Sequence, residues 1–341
     1  MEHGSQHRGI VRSVELSLNS ATIRYSVHTA MPSTIWAERV LWIRPYGRNR
    51  GTMTTKYEEV TGRILSMLER GVPPWRRPWT GGPSFPTSWT TGKSYRGINT
   101  WLLEPGEYLT FNAARAAGGH VKKGEKGTSI IFWKFLPPRE GEDNGFAMLK
   151  SYTVFEVGQC EGIPRRHHDE KTIDFSPITE AERIVSLYKN PPSIRHQGTV
   201  ACYRPSEDSV TLPPKETFHS EAEYYSTLFH ELGHSTGHAS RLKRGITGGH
   251  DHSAYGKEEL VAELCSSMLC SMCRIDNSVI DNAAAYIQHW KRAIEGDSHL
   301  IILASAQAQK ASDHILGIHA SSVSDDESVP LPLGASSEGA A

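Results

Sequence analysis

Phe229-His230-Glu231-Leu232-Gly233-His234 reads His-Glu-x-x-His. On a helix, positions i and i+4 share one face, so His230 and His234 can grip one metal ion together while Glu231 addresses a water in its open position. Two imidazoles, a third protein ligand, a water and a base are the parts of a hydrolytic zinc site. The flanks predict the helix that this needs. Ser220 stands as N-cap, with Glu221 and Glu223 in the first turn, where the helix dipole favours negative charge. Tyr225, Leu228, Phe229 and Leu232 form an apolar stripe, and Gly237 supplies a stop.

The third ligand is sought downstream. Lys257-Glu258-Glu259-Leu260-Val261-Ala262-Glu263-Leu264 predicts a second helix, continuing through Met268. Glu259 and Glu263 are four apart and share a face. In gluzincin-type sites the first acidic residue of such a pair binds the metal and the second orients a ligand histidine. Glu259 is therefore assigned as third ligand and Glu263 as the partner of His230 or His234. His238, His250, Asp251 and His252 compete for the ligand place, and a solvated helix face is the ordinary account of Glu258 and Glu259. Zinc is the default ion for this set, with manganese or cobalt as alternatives. If the site is catalytic, Glu231 is its base, and Tyr255 and His252 lie near enough in sequence to be weighed as oxyanion donors.

The chain has 341 residues, room for two domains. No run of 18 apolar residues marks a transmembrane helix, and no N-terminal stretch has the form of a secretion signal. Five Cys, an odd number, suit a reducing cytosol better than a disulfide framework, so a cytoplasmic protein with no membrane partner is expected. Cys270-x-x-Cys273 lacks a second pair and is assigned to a helix core. The net charge of −1 conceals an asymmetry. Residues 53–166 carry sixteen Lys and Arg against eleven Asp and Glu, whereas 167–341 carry fourteen against twenty-four. A polyanion partner for the first part and a different task for the second follow from that split.

Residues 1–52 are rich in Arg, Ser and Thr without a helical stripe; Leu41-Trp42-Ile43 is at most a short strand. They are expected to be an extension, disordered or upstream of a natural start at Met53. There Thr55-Lys56-Tyr57-Glu58 forms a capping box, opening a helix to about Arg70 with Val60, Ile64, Leu65 and Leu68 inward. Residues 74–101 are dense in aromatic and basic side chains: Trp75, Arg76, Arg77, Trp79, Trp89, Lys93, Tyr95, Arg96 and Trp101. After a helix over 112–117 comes a basic, glycine-rich turn bearing Lys122, Lys123 and Lys126, then paired strands over 129–135 and 151–157. Aromatics beside cations suit single-stranded nucleic acid, whose bases stack on rings while Lys and Arg neutralise phosphates. Against this, Trp75, Trp79 and Trp101 read equally as core; the loop lysines have no core role. Further on, a linker, a helix over 180–188, a hairpin of 199–203 with 209–212, and helices over 278–296 and 299–316 are expected, before a disordered tail.

Taken together, these pieces resemble the ArdC family of plasmid-encoded antirestriction proteins. The matching motifs run in order: Tyr57-Glu58-Glu59-Val60-Thr61, Pro74-Trp75 with Pro78-Trp79, Tyr95-Arg96-Gly97-Ile98-Asn99, and Gly119-x-Val121-Lys122-Lys123-Gly124-Glu125-Lys126-Gly127. Tyr152-x-Val154-Phe155, His230-Glu231-Leu232-Gly233-His234-x-x-Gly237-His238, Glu258-Glu259-Leu260-Val261-Ala262-Glu263 and Ala304-x-Ala306-x-Ala308-Gln309-Lys310-Ala311 complete them. The resemblance covers about 53–318 and implies an α+β fold in two domains. A mixed α/β single-stranded-DNA-binding domain (53–165) would be joined by a linker (166–178) to a mainly helical zincin-like metallopeptidase domain (179–318). Residues 1–52 and 319–341 would flank them. Carried over by position, His230, His234 and Glu259 would bind metal and Glu231 would be the catalytic glutamate, while the Trp- and Lys-rich stretches contribute to DNA binding. The implied role is protection of incoming single-stranded plasmid DNA during conjugation. A plain metalloprotease, whose basic domain only recruits a protein substrate, is the alternative.

Overall fold

The computed structural model describes residues 25–26, 55–71, 73–76, 85–136, 146–166, 176–245, 252–276 and 284–318. In chain order the first elements are β1 (Tyr25–Ser26), α1 (Lys56–Glu69), β2 (Thr87–Ser88), α2 (Asn99–Leu102), β3 (Glu107–Thr110) and α3 (Phe111–Ala116). Next come β4 (His120–Val121), β5 (Thr128–Leu136), β6 (Phe146–Glu156) and β7 (Cys160–Glu161). The second half holds α4 (Pro177–Leu187), β8 (Ser193–His196), β9 (Val200–Arg204) and β10 (Ser209–Leu212). It closes with α5 (Glu221–Ser235), α6 (His252–Met272), α7 (Ala284–Gly296) and α8 (Leu300–Leu316). Leu41-Trp42-Ile43, the loop 137–145, most of the 166–178 linker and the 319–341 tail lie outside the described residues.

The first sheet has strand order β2-β3-β6-β5. Its spine is the long antiparallel β5–β6 pair, in register from Thr128 opposite Val154 to Leu136 opposite Phe146. Ile130 and Val154 turn one face into a small core with Tyr95, Leu103 and Tyr108. β5 is an edge strand, and edges leave backbone groups unpaired. Asn99 answers this: buried, it donates to the Ile131 carbonyl at 2.7 Å and accepts from the Ile131 amide at 3.0 Å. A separate β4–β7 ribbon carries the lysine turn. That turn presses so closely onto β6 that a Cβ at Gly127 would strike the Thr153 side chain, which explains the glycine.

The second sheet has order β1-β9-β10-β8, with β9–β10 the expected antiparallel hairpin and β8 parallel to β10. Tyr25 and Ser26, within the stretch expected to be disordered, lie antiparallel to Ala201 and Val200 on the open edge of β9. Helix α5 packs on β9 and β10, α6 crosses α5, and α8 packs on α6. The largest core does not respect the two expected domains. Val60, Ile64 and Leu68 of α1, with Trp75 and Trp101, join it beside Leu232, Leu264, Trp290 and Ile301. Each fully buried side chain of this size contributes about 1.5–3 kcal/mol relative to exposure. The basic half is thus anchored on the helices of the acidic half. Among the described residues no helix is long and apolar enough to cross a membrane.

Candidate metal centre

Helix α5 starts where its sequence predicts: Ser220 Oγ accepts from the Glu223 amide at 3.1 Å. The helix then runs beneath the hairpin with its second half wholly buried. Gly233, between the two histidines, lets α6 come close: a Cβ there would lie 3.2 Å from Ala262 Cα and 3.3 Å from its carbonyl oxygen. That close crossing brings Glu259 of α6 opposite His230 and His234.

The Nε2 atoms of His230 and His234 are 3.0 Å apart. Glu259 Oε2 is 3.6 Å from His230 Nε2, and Glu259 Oε1 is 3.6 Å from His234 Nε2. Tetrahedral ligands at about 2.0–2.1 Å from zinc lie roughly 3.3 Å from one another, so the triad has the dimensions of a metal's coordination sphere. Among the described residues no other three His, Cys, Asp or Glu side chains are so grouped. Both oxygens of Glu259 are buried without a hydrogen-bond partner. A carboxylate left so is costly unless a cation takes it. Burial, with the Glu263 charge adding to it, pushes the Glu259 carboxyl up to about 8, so a cation is what would ionise it at neutral pH. Burial drives His234 the other way, down to about 4, leaving the neutral ring that a metal ligand must be. The residues present fit a divalent ion.

Each histidine is backed by its own carboxylate, and each carboxylate by an arginine. Glu263 Oε2 lies 3.7 Å from His230 Nδ1, and its Oε1 accepts from Arg76 Nε at 3.0 Å. Glu258 Oε1 lies 3.5 Å from His234 Nδ1, and Glu258 is gripped by Arg244 through Nε at 3.0 Å and Nη2 at 2.6 Å. A carboxylate facing Nδ1 favours the tautomer that carries its proton there and turns the Nε2 lone pair inward. Burial opposes the charge on both glutamates; hydrogen bonds and nearby cations outweigh it and hold both carboxyls below the usual range.

Glu231 is fully buried, and neither of its oxygens completes a hydrogen bond. Burial pushes its carboxyl up to about 7, against the opposing pull of His230. A carboxyl so poised can take and return a proton at neutral pH.

Residues 54–155 match the family model described as the N-terminal domain of anti-restriction factor ArdC, and residues 179–307 match the one described as a zincin-like metallopeptidase. The crystal structure of the metal-free antirestriction ArdC protein from plasmid R388 aligns with a TM-score of 0.62 at 36% identity, over 76% of this chain and 96% of that one. The chain belongs to the ArdC family of antirestriction proteins. The Mn(II)-bound form of the same R388 protein gives the same TM-score of 0.62 over 78% of this chain and 98% of that one. The uncharacterized protein y4eC of Sinorhizobium fredii is 31% identical over 78% of this chain and 93% of its own length. Two Escherichia coli proteins named DNA primase TraC are 37% and 34% identical over 76% and 79% of this chain. The chain spans 27% and 20% of the length of those two primases.

Within this ArdC-type frame the nucleic-acid candidates divide. Trp75, Arg76 and Tyr95 are buried, at 0%, 7% and 6% exposure, where no base or phosphate reaches them. This corrects their assignment to DNA: Trp75 and Tyr95 are core, and Arg76 pairs with Glu263, which faces His230. Arg96 pairs with Asp313 of α8 and so ties the two halves together. Lys93, Lys123 and Lys126 are exposed. Lys122 is half-buried, its Nζ donating to the Gly158 carbonyl at 2.8 Å. Arg77 and Trp79 lie outside the described residues, as do the side chains of His250, Asp251, His252 and Tyr255. His238 turns its Nδ1 to Ser240 Oγ at 2.8 Å. Sequence reading missed Arg76, Glu258, Arg244 and Tyr286 as parts of the centre. Glu258 stands one helical turn before Ala262, the residue of α6 that meets Gly233, and so lies on the flank of α6 that faces α5, a contact that only the fold reveals.

Proposed function

We propose that this chain binds single-stranded DNA through its basic N-terminal half and protects incoming plasmid DNA from restriction in the cytoplasm during conjugation. The observation that carries this reading is the pairing, on one chain, of an ArdC N-terminal segment with a buried His-His-Glu centre. The exposed Lys123 and Lys126, with Lys122 beside them, supply a phosphate-binding turn. The names of the TraC relatives, DNA primases, favour nucleic acid as the partner of the shared segment as well.

The centre would hold zinc, or manganese as in the R388 relative, through His230, His234 and Glu259, with cobalt a further candidate. Such an ion supplies Lewis acidity and an acidified water. Glu231 would accept a proton at a carboxylate oxygen and hand it to a leaving nitrogen. The second reading follows from that arrangement: a metalloprotease acting on a protein substrate, with the basic half used for recruitment.

The test is binding of a labelled single-stranded oligonucleotide across a salt series, for wild type and for Lys122→Ala/Lys123→Ala/Lys126→Ala. Tight, salt-sensitive binding is expected, its log–log slope made shallower by about 0.7 for each lysine that engages a phosphate. No binding at low salt sinks the DNA reading. Glu231→Gln then separates the two functions: protection that survives it does not depend on proteolysis.

A further inference from the structure

Trp75 and Arg76 belong to the segment matched by the ArdC N-terminal model, yet their side chains reach Tyr286 and Glu263 in the C-terminal half. Arg76 Nε donates to Glu263 Oε1 at 3.0 Å, and the Tyr286 hydroxyl donates to the same oxygen at 2.5 Å. The other oxygen, Oε2, is the one that faces His230 Nδ1, at 3.7 Å. The Arg76 guanidinium lies over the Tyr286 ring, 4.0 Å from its centroid, and Trp75 Nε1 donates to the Tyr286 hydroxyl at 3.2 Å. Ser267 of α6 also donates to the Trp75 carbonyl. Arg76 is thus buried, stacked and hydrogen-bonded in one orientation. A guanidinium so held is a fixed template for a carboxylate, which a lysine cannot reproduce.

We propose that Arg76 is a positioning residue of the metal centre: by clamping Glu263 it fixes His230, so that the N-terminal half sets the metal affinity of the C-terminal half. Without Arg76, Glu263 is a largely buried carboxylate that has lost its cation and keeps the Tyr286 hydroxyl, a neutral donor that leaves its charge unmatched and its orientation less constrained. The proposal rests on His230, His234 and Glu259 being the metal ligands. It does not depend on what the protein protects or cleaves.

The experiment is calorimetric titration of the full chain, freed of metal, with Mn2+ and with Zn2+. Arg76→Met, which keeps the stem and removes the fork, is expected to weaken binding about 10–100-fold. Arg76→Lys should restore part of that loss. Arg96→Met removes another ion pair between the halves and serves as the control for loosened seating; its affinity should stay within about twofold of wild type, since it touches no metal ligand. Long-range 1H–15N spectra of the metal-free chain should show a single His230 tautomer in wild type and a mixture in Arg76→Met. Wild-type affinity in Arg76→Met, or an equal loss in Arg96→Met, overturns the proposal. Should Arg76→Met fail to fold, Glu263→Gln decides: unchanged affinity there leaves Arg76 nothing to act through. A wild-type chain that binds neither ion would instead refute the ligand assignment itself, which distinguishes the two failures.

Discussion

Glu258 Oε1 stands 3.5 Å from His234 Nδ1, on the side of the ring opposite the atoms that face Glu259. Arg244 holds that carboxylate through two nitrogens and also donates to the Gly233 carbonyl at 2.9 Å and to Thr236 Oγ1 at 2.6 Å. The loop after α5 therefore folds back to lock the turn that carries His234. Glu258→Gln keeps the shape and removes the charge that orients His234. It should lower metal affinity about 10–100-fold, read by the same titration, while the metal-free chain stays folded by circular dichroism. Affinity equal to wild type would show that His234 needs no such partner.

Gly233 is required by packing, not by backbone conformation, since it sits inside α5. Gly233→Ala would place a Cβ 3.2 Å from Ala262 Cα, 3.3 Å from Ala262 O and 3.4 Å from Cys265 Cβ. Two of these neighbours are backbone atoms of a buried helix and yield little. The helices should separate slightly, at a cost of about 1–3 kcal/mol that the roughly 1 kcal/mol gained by replacing a mid-helix glycine offsets only in part, seen as a thermal midpoint lowered by a few degrees. Because His230 and His234 are on one side of that crossing and Glu259 on the other, metal affinity should fall with it. An unchanged midpoint would mean that the α5–α6 contact has slack.

The grouping of His230, His234 and Glu259 was legible because side chains four apart share one helix face, His230 with His234 and Glu259 with Glu263. Local chemistry was equally legible: the Thr55–Glu58 capping box and the Ser220 cap form as the residues dictate. What sequence could not give was partnership at long range. Arg76 and Glu263 are 187 residues apart, and nothing local to Pro74-Trp75-Arg76 says that its cation serves a carboxylate and not a phosphate. A dense mix of Trp and Arg looks the same whether it stacks on bases or fills a core, and Trp75 and Tyr95 fill a core. The short strands β2, β3 and β8 were missed for a different reason: runs of two to four residues carry no readable period.

All five cysteines are buried and free, and burial pushes the thiols of Cys265 and Cys270 up to about 12 and raises that of Cys273 as well. The thiolate is the reactive form, so these residues are inert in the folded chain. A chromogenic disulfide reagent at mildly alkaline pH should modify less than one thiol per native chain, and all five after denaturation. Rapid native labelling of Cys270 or Cys273 would refute their place in the helix core.

Asp208 joins the β9–β10 turn to the end of α5, the helix of His230 and His234. Its two oxygens accept from Arg241 Nη1 and Nη2, each at 2.8 Å, and Oδ1 also accepts from the Tyr203 hydroxyl at 2.9 Å. Arg241 in turn donates to the carbonyl of Ser235, the last residue of α5, at 3.0 Å. Burial works to raise the Asp208 carboxyl, but the Arg241 and Tyr203 hydrogen bonds prevail and hold it below the ordinary value of 3.8. A carboxyl depressed on folding stabilises the native state fully above its unfolded pKa, and that contribution disappears as pH falls through the folded value. Asp208→Asn tests this with little disturbance, because asparagine tolerates the positive φ of 45° at this position. At neutral pH the variant should be less stable by about 1.5–3 kcal/mol, the range for a hydrogen bond to a charged group. The gap between the two chains should stay constant down to about pH 5 and close below 3.8, as wild type alone loses the charge. Urea midpoints taken across that range decide it: a gap that persists undiminished in acid would mean that shape, not charge, holds the turn to the helix.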